Sequence, residues 1–111
     1  MRYKMTFQNI TPQEAKKLIE EDGAILIDVR EMDEFEQGHI PYAAFMPLSD
    51  FANTWDKVSY PENTKIIFQC AVGGRSAKAC DFVAENDNKK YELYNLDGGY
   101  KLWAQEELVL I

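Results

Sequence analysis

The stretch KIIFQCAVGGRSAKACDFV, residues 65–83, decides how the rest of the chain is organised. It begins with a short apolar run, which is typical of a buried strand. Cys70 follows this strand, Gly73 and Gly74 then permit a tight loop, and a helix is expected to open near Ser76. In this arrangement the loop's backbone N–H groups and the amino end of the helix converge on the cysteine sulfur. The stretch therefore predicts an anion-binding loop with a cysteine at its base.

This loop favours the thiolate of Cys70 over the thiol, and the thiolate is the nucleophilic form. Many cysteines are simply small buried hydrophobic side chains, and that is the alternative for any single cysteine. Strand, cysteine, paired glycines, arginine and helix together favour a nucleophile at Cys70. Cys80 lies on the apolar stripe of the following helix, and we expect it to be a core residue and not a resolving thiol.

Composition and charge restrict the class of protein. The 111 residues are 46% hydrophobic, which is sufficient for one folded domain that we expect to span residues 1–111. The net charge of -7 argues against binding to nucleic acid or to an anionic membrane. No apolar run has the length of a signal-peptide core or a membrane span. Two cysteines and one histidine give neither a disulfide framework nor zinc-ligand spacing. We therefore expect no metal site and a reduced, cytoplasmic compartment.

Apolar patterns and turn signals divide the chain into strands that alternate with helices. Strands are predicted at Met5–Ile10, Ala24–Val29, Ala43–Met46, Ile66–Phe68 and Tyr91–Leu96, and helices between Thr11 and Gly23, over Glu31–Gln37 and Leu48–Val58, from near Ser76, and over Tyr100–Glu106. The alternation predicts an α/β fold with a central, mostly parallel five-stranded sheet and helices on both faces. Ligands of such sheets bind beyond the carboxyl ends of the strands. Asp28, Arg30, Cys70 and Asp97 are all expected at that edge.

Three separated stretches resemble the rhodanese-like (sulfurtransferase) family. They are LIDVREMDEFEQGHIP at residues 26–41, CAVGGRS at 70–76 and NLDGGYKLW at 95–103, and their order matches across essentially the whole chain. The resemblance implies a small α/β fold in which the cysteine, here Cys70, carries a persulfide. Sulfur would come from thiosulfate or from a small or protein-bound persulfide, and would pass to a thiol or a cyanide-like acceptor. The covalent persulfide would be the intermediate, with no metal or dissociable cofactor.

The length of the loop separates this interpretation from its nearest relative. Four residues lie between Cys70 and Arg75, whereas phosphatases of similar fold place five residues there to make room for phosphate. A persulfide needs less space, so the spacing favours sulfur chemistry over a phosphatase or an arsenate reductase. Two further alternatives remain open on the same fold: a persulfide relay between proteins, and a non-catalytic protein-binding module.

The loop residues are the predicted substrate-binding positions: Ala71, Val72, Gly73, Gly74 and Arg75. Arg75 either contacts an anionic donor or forms an ion pair that fixes the loop, and both interpretations stay open. Ala71 and Val72 are apolar where some family members have basic residues, which predicts weak use of small dianions such as free thiosulfate. Ser76, at the start of the helix, is expected to support the site.

Residues of the first matching stretch are expected to support the site from the neighbouring strand. Asp28 and Arg30 are predicted to brace the edge of the sheet by ion pairing and hydrogen bonding, in preference to a chemical role. Glu34 follows Arg30 by four residues and is expected within reach of it if the intervening turn is helical. His39 is expected to bond the backbone of its turn. Tyr42 stands where the family commonly has glycine, so it would line or restrict the mouth of the pocket.

Overall fold

The computed structural model describes residues 7–87 and 89–109. In chain order the elements are β1 (Gln8–Ile10), α1 (Pro12–Asp22), β2 (Ile25–Asp28), α2 (Met32–Gln37), β3 (Ala44–Phe45), a 3-10 turn (Leu48–Asp50), α3 (Phe51–Trp55), β4 (Lys65–Gln69), α4 (Gly74–Asn86), β5 (Glu92–Leu96) and α5 (Gly99–Gln105). The five strands form one sheet in the order β1-β5-β4-β2-β3, and every pair is parallel. The predicted α/β class is confirmed, with a sheet that is entirely parallel.

The central strand, β4, is covered on both faces. Ile66 and Phe68 belong to one core cluster and Ile67 to the other, and all three are fully buried. Neighbouring side chains of a strand point to opposite faces, so this division follows from the continuous apolar run. Helices α3 and α4 contribute residues to the first cluster, whereas α1 and α5 contribute to the second. The site-bearing strand is therefore held rigidly between two helical layers.

Helix α1 illustrates how closely local sequence sets an element. Thr11 Oγ1 accepts a hydrogen bond from the Glu14 N–H at 3.1 Å, and the Thr11 N–H donates to Glu14 Oε1 at 2.9 Å. This reciprocal pair is a capping box, and Pro12 occupies the first helical position. The helix ends at Gly23, whose φ of 68° is left-handed. Both predicted ends of α1 are confirmed.

Three predicted elements differ from those observed. The helix after the cysteine loop begins at Gly74, two residues before Ser76, because the Ala77 N–H already bonds the Gly73 carbonyl at 3.3 Å. The helix predicted over residues 48–58 is divided into the 3-10 turn and the short α3. The first strand begins at Gln8, and the start predicted for it at Met5 lies outside the described residues. None of the described helices has the length and apolar character needed to cross a membrane.

Candidate active site

Cys70 directly follows β4, at the carboxyl edge of the sheet. Its residue is only 1% exposed, and the loop curls back over the sulfur. The Gly73 N–H donates a hydrogen bond to Sγ at 3.0 Å, and the Ser76 hydroxyl lies 3.4 Å from it. Gly73 has a φ of 115°, a value that glycine adopts without strain. The paired-glycine sequence thus lets the loop aim a backbone donor at the sulfur.

The surroundings of Cys70 influence its pKa in opposite directions. Burial is the largest single influence and raises the pKa of the thiol. Contacts with the Ser76 hydroxyl and with the backbone N–H groups of Ser76, Gly73 and Val72 lower it, and together they outweigh burial. The net result is a pKa below the ordinary value, so the site favours a buried thiolate.

The loop is held in place by the first turn of α5. The Tyr100 N–H donates to the Cys70 carbonyl at 2.8 Å, and the Lys101 N–H donates to the Ala71 carbonyl at 3.1 Å. Gly99 makes this approach possible, since a Cβ at that position would lie 2.5 Å from the Cys70 carbonyl oxygen. The turn from Asp97 to Gly99 is therefore packed against the cysteine loop, and Gly99 is required by a backbone contact.

Arg75 and Glu34 form a two-bond ion pair between α4 and α2. The guanidinium donates to the two carboxylate oxygens at 2.8 and 2.9 Å. This hydrogen bonding is the largest cause that lowers the pKa of Glu34 to about 2, partly opposed by burial, and it also raises the pKa of Arg75. The expected approach of Glu34 to Arg30 depended on a helical turn between them, but α2 begins only at Met32, and the carboxylate bonds Arg75 of α4 instead. Of the two interpretations of Arg75, the structure contains the ion pair.

Arg30 has a partner of its own. Its side chain donates to both oxygens of Asp28, with Nη2 2.8 Å from Oδ2, and Nη2 also donates to the Gly38 carbonyl at 2.8 Å. The guanidinium lies 4.3 Å from the centre of the Tyr100 ring. Both charged groups are buried. The two residues predicted to brace the sheet edge thus do so as one ion pair, which joins β2, the end of α2 and the start of α5 beside the loop.

His39 and Tyr42 lie in the turn after α2. His39 Nδ1 is 2.9 Å from the Phe35 carbonyl oxygen, so this histidine bonds backbone as expected. Tyr42 is 81% exposed and has a φ of 67°, a left-handed value that explains why glycine suits this position. Tyr42 is not among the residues that line the cleft beside the cysteine loop, and the expectation that it restricts the pocket mouth receives no support.

A cleft of about 300 Å³ opens next to the loop. Ala71 forms one wall, and Arg30, Gln37, Tyr100 and Lys101 contribute to the others. The cleft leads to the residue that follows the cysteine, so a donor or acceptor molecule has space beside the loop. Within residues 7–87 and 89–109, no cluster of three or more His, Cys, Asp or Glu side chains is arranged to hold a metal ion.

Asn95 is a part of the site that sequence reasoning did not single out. It lies on β5, where it is paired in register with Phe68 of β4, and it is 4% exposed. Its amide contacts the Ser76 hydroxyl and the Gly73 carbonyl. The available signal was a polar residue between Leu93 and Leu96 near the carboxyl end of a strand, because a buried amide must find hydrogen-bond partners.

Comparison with known proteins agrees with this geometry. The family model described as the rhodanese-like domain matches residues 11–106. The chain is 32% identical over 100 residues to a thiosulfate sulfurtransferase GlpE of Ectopseudomonas mendocina, a match covering 87% of this chain and 84% of that protein. At the level of the family, these matches support a sulfurtransferase.

Solved structures show the same fold both alone and within a longer chain. A rhodanese-like domain protein from Staphylococcus aureus superposes with a TM-score of 0.74 at 29% identity, with coverage of 95% of this chain and 99% of that one. The reduced CoADR-RHD of Bacillus anthracis superposes with a TM-score of 0.73 at 29% identity, and the match covers 89% of this chain but 17% of that longer one. The chain described here belongs to the rhodanese-like domain family.

Proposed function

We propose that the protein is a sulfurtransferase that carries sulfane sulfur as a persulfide on Cys70. The observation that carries this proposal is the Gly73 N–H, which donates to a buried sulfur whose pKa is lowered and which lies 3.4 Å from the Ser76 hydroxyl. A four-residue spacing between Cys70 and Arg75 leaves room for one additional sulfur atom. The similarity to a protein named thiosulfate sulfurtransferase supports the same reaction class.

The proposed reaction consists of two displacements at sulfur. The Cys70 thiolate attacks the outer sulfur of the donor, a new S–S bond forms, and the donor's own S–S bond breaks with its electron pair leaving on sulfite or on a thiolate. The terminal sulfur of the resulting Cys70–S–S⁻ carries the negative charge. The backbone N–H groups of residues 71–75 and the amino end of α4 are the groups that would stabilise this charge.

The second displacement returns the enzyme to its starting state. An acceptor thiolate or cyanide attacks the terminal sulfur, the Cys70–S bond to that sulfur breaks, and the electron pair returns to Cys70. Both steps use only sulfur atoms and the acceptor nucleophile, so we propose no metal and no dissociable cofactor. The reaction requires Cys70 in its reduced form, which a compartment such as the cytoplasm maintains.

Charge around the loop bears on the choice of donor. Arg75 is already occupied by Glu34, and the other side chains at the top of the loop are the apolar Ala71 and Val72. Val72 is 60% exposed. Residues 71–75 therefore offer no free cationic side chain to a small dianion, although Lys101 of α5 lines the cleft beside them. We propose that persulfides of thiols or proteins are better donors than thiosulfate.

The same observations favour a second candidate, a persulfide relay. Cys70 is nearly inaccessible at 1% exposure, and Val72 presents an exposed apolar side chain at the rim of the loop. A relay would receive sulfur from one protein and deliver it to another, with slow turnover of small molecules. It would use the same Cys70 persulfide.

Steady-state sulfur transfer tests the proposal and separates the two candidates. Thiosulfate and glutathione persulfide are compared as donors, with cyanide and a thiol as acceptors, for wild type, Cys70→Ser and the matched control Cys80→Ser. We expect activity in wild type and Cys80→Ser, with higher kcat/KM for the persulfide, and loss of activity in Cys70→Ser. Stoichiometric loading with slow turnover would assign the relay, whereas full activity of Cys70→Ser would overturn both.

A further inference from the structure

The Ser76 hydroxyl has one hydrogen and three possible acceptors. Its Oγ lies 2.5 Å from Asn95 Oδ1, 3.2 Å from the Gly73 carbonyl oxygen and 3.4 Å from Cys70 Sγ. A hydroxyl donates a single hydrogen bond and accepts through its lone pairs. The three contacts therefore compete for one hydrogen, and the nearest competitor of the cysteine sulfur is Asn95.

The orientation of the Asn95 amide is fixed by its other contacts. Asn95 Nδ2 lies 3.1 Å from the Gly73 carbonyl oxygen and 3.0 Å from Asn9 Oδ1. A backbone carbonyl can only accept, so the amide nitrogen, and not the amide oxygen, must face Gly73. This places Oδ1 toward Ser76. Because an amide oxygen cannot donate, the Ser76 hydroxyl must supply the hydrogen of that bond.

The consequence for Cys70 depends on whether its sulfur is protonated. With its hydrogen directed to Asn95, Ser76 presents a lone pair to Cys70 Sγ and accepts a hydrogen bond from the thiol. When the sulfur is a thiolate, the hydroxyl must turn toward it, and Asn95 Oδ1 then loses its donor. Asn95 is 4% exposed, so water has little access to satisfy the abandoned oxygen, and an unpaired buried acceptor is costly.

We propose that Asn95 is a positioning residue that holds the Ser76 hydroxyl hydrogen away from Cys70 while the sulfur is protonated and releases it when the sulfur becomes a thiolate. This inference rests on the proposed role of Cys70 as the sulfur-carrying nucleophile. The loop N–H groups stabilise the thiolate. Asn95 opposes this stabilisation, because its Oδ1 competes with the sulfur for the Ser76 hydroxyl hydrogen. The chemical benefit follows from thiol reactivity: a thiol with too low a pKa is a weak nucleophile, and the best attacking thiol has a pKa near the ambient pH.

Other charged groups near the loop do not carry this effect. Arg75 of α4 interacts electrostatically with Cys70 but is paired with Glu34 of α2. Arg30 is paired with Asp28, and α5 contributes Tyr100 and Lys101 to the cleft beside the loop. Substitution at Asn95 leaves all of these groups in place. A change in the titration of Cys70 can therefore be assigned to the Asn95 amide, acting through the Ser76 hydroxyl or through Gly73, which it also contacts. A background that lacks the Ser76 hydroxyl separates these two routes.

A double-mutant cycle tests the proposal in a Cys80→Ser background. The pH dependence of iodoacetamide alkylation gives the pKa of Cys70 without any sulfur transfer. We expect Asn95→Leu to lower this pKa, so that alkylation below the pKa becomes about three- to tenfold faster. Ser76→Ala should raise the pKa, and Asn95→Leu should have no further effect once Ser76 is alanine.

Two further variants separate this role from a structural one. Asn95→Asp keeps the shape and the oxygen that faces Ser76, replaces the donor to the Gly73 carbonyl with a second carboxylate oxygen, and adds a negative charge. It should therefore raise the pKa of Cys70, opposite to Asn95→Leu. Asn9→Ala removes the exposed partner while the Gly73 contact still orients the amide, so the pKa should stay unchanged. The proposal would be overturned if Asn95→Leu raised the pKa of Cys70 or left it unchanged. It would also be overturned if Asn95→Leu lowered this pKa equally in the presence and in the absence of the Ser76 hydroxyl. Persulfide loading, measured in parallel by intact mass, shows separately whether the proposed function fails.

Discussion

The two cysteines of this chain are both buried in the same core cluster but differ in their chemistry. Burial, followed by the charge of Asp81, raises the pKa of Cys80 well above the ordinary value, and one backbone hydrogen bond opposes this only in part. Its sulfur donates weakly to the Tyr94 carbonyl at 3.5 Å. Cys70 is equally inaccessible, but the loop supplies donors and its pKa is lowered. Burial alone makes a thiol inert. The difference shows that the loop after Cys70, and not the degree of burial, lowers the pKa of this cysteine.

The largest expected effect is the contrast in alkylation between the two cysteines. In folded protein at pH 7, iodoacetamide should modify Cys70 at least about a hundredfold faster than Cys80, because only the former has a stabilised thiolate. The rate at Cys70 should fall as the pH decreases through its lowered pKa. Peptide mapping of the modified sites measures both rates. Equal alkylation rates of the two thiols in folded protein would contradict the proposed difference between them. As a control, both cysteines should be modified in denaturant.

The contact between Gly99 and the cysteine loop can be tested by comparing Gly99→Ala with Gly23→Ala. Gly99→Ala would bring a Cβ to 2.5 Å from the Cys70 carbonyl oxygen. Gly23 has a similar left-handed φ, but a Cβ added at Gly23 would have no atom within 4 Å. Both variants incur backbone strain, but only Gly99→Ala also forces the loop to shift. We expect it to lower the free energy of unfolding by about 2 kcal/mol more than Gly23→Ala. Denaturant titration measures the difference.

The same pair of variants should also separate the two thiols. Alkylation of Cys70 should change in folded Gly99→Ala, because its loop is displaced, while Cys80 on α4 stays protected. Gly23→Ala should leave both rates as in wild type. Equal stability of the two variants would show that the contact between Gly99 and the loop is not important for the fold.

The smallest expected effect concerns the ion pair between Arg75 of α4 and Glu34 of α2. The pKa of Glu34 falls from 4.5 to about 2 in the folded protein. A lowered pKa contributes stability that is present above pH 4.5 and is lost as the pH falls toward 2. Since both side chains are about one third exposed, solvent screening reduces the contribution to about 1 kcal/mol. Glu34→Gln should lose this amount at pH 7 and should equal wild type near pH 2.

The matched control for this variant is Glu36→Gln, because Glu36 is exposed on the same helix. It removes the same charge without removing the Arg75 contact, so its stability should follow that of wild type across the pH range. Equal losses in the two variants would assign the effect to net charge. Thermal unfolding between pH 2 and pH 7 gives the comparison.

Much of the fold was predictable because local signals and long-range packing agree. The capping box at Thr11 and Glu14 fixes the start of α1, and the continuous apolar run of β4 requires cover on both faces. The cysteine loop was predictable for the same reason, since strand, paired glycines and helix are adjacent in the chain. The alternation of elements indicated a parallel sheet, although the strand order follows from tertiary packing that periodicity does not encode.

The features of the site that could not be predicted from the sequence depend on contacts between distant residues. Glu34 was expected within reach of Arg30, four residues away, if the turn between them were helical, but the orientation of α2 against α4 brings it to Arg75, forty-one residues away. Asn95 joins the site only because β5 lies next to β4 in the sheet. Neither contact leaves a local pattern, because each depends on the relative placement of two elements.

The central claim is that Cys70, and not Cys80, carries sulfur, and intact mass measures this most directly. Wild type, Cys70→Ser and Cys80→Ser are incubated with a sulfane-sulfur donor, both small and protein-bound, and then weighed without reduction. We expect one added sulfur, about 32 Da, in wild type and in Cys80→Ser, and none in Cys70→Ser. An added sulfur that persists in Cys70→Ser, or the absence of any added sulfur in wild type with every donor, would contradict the account.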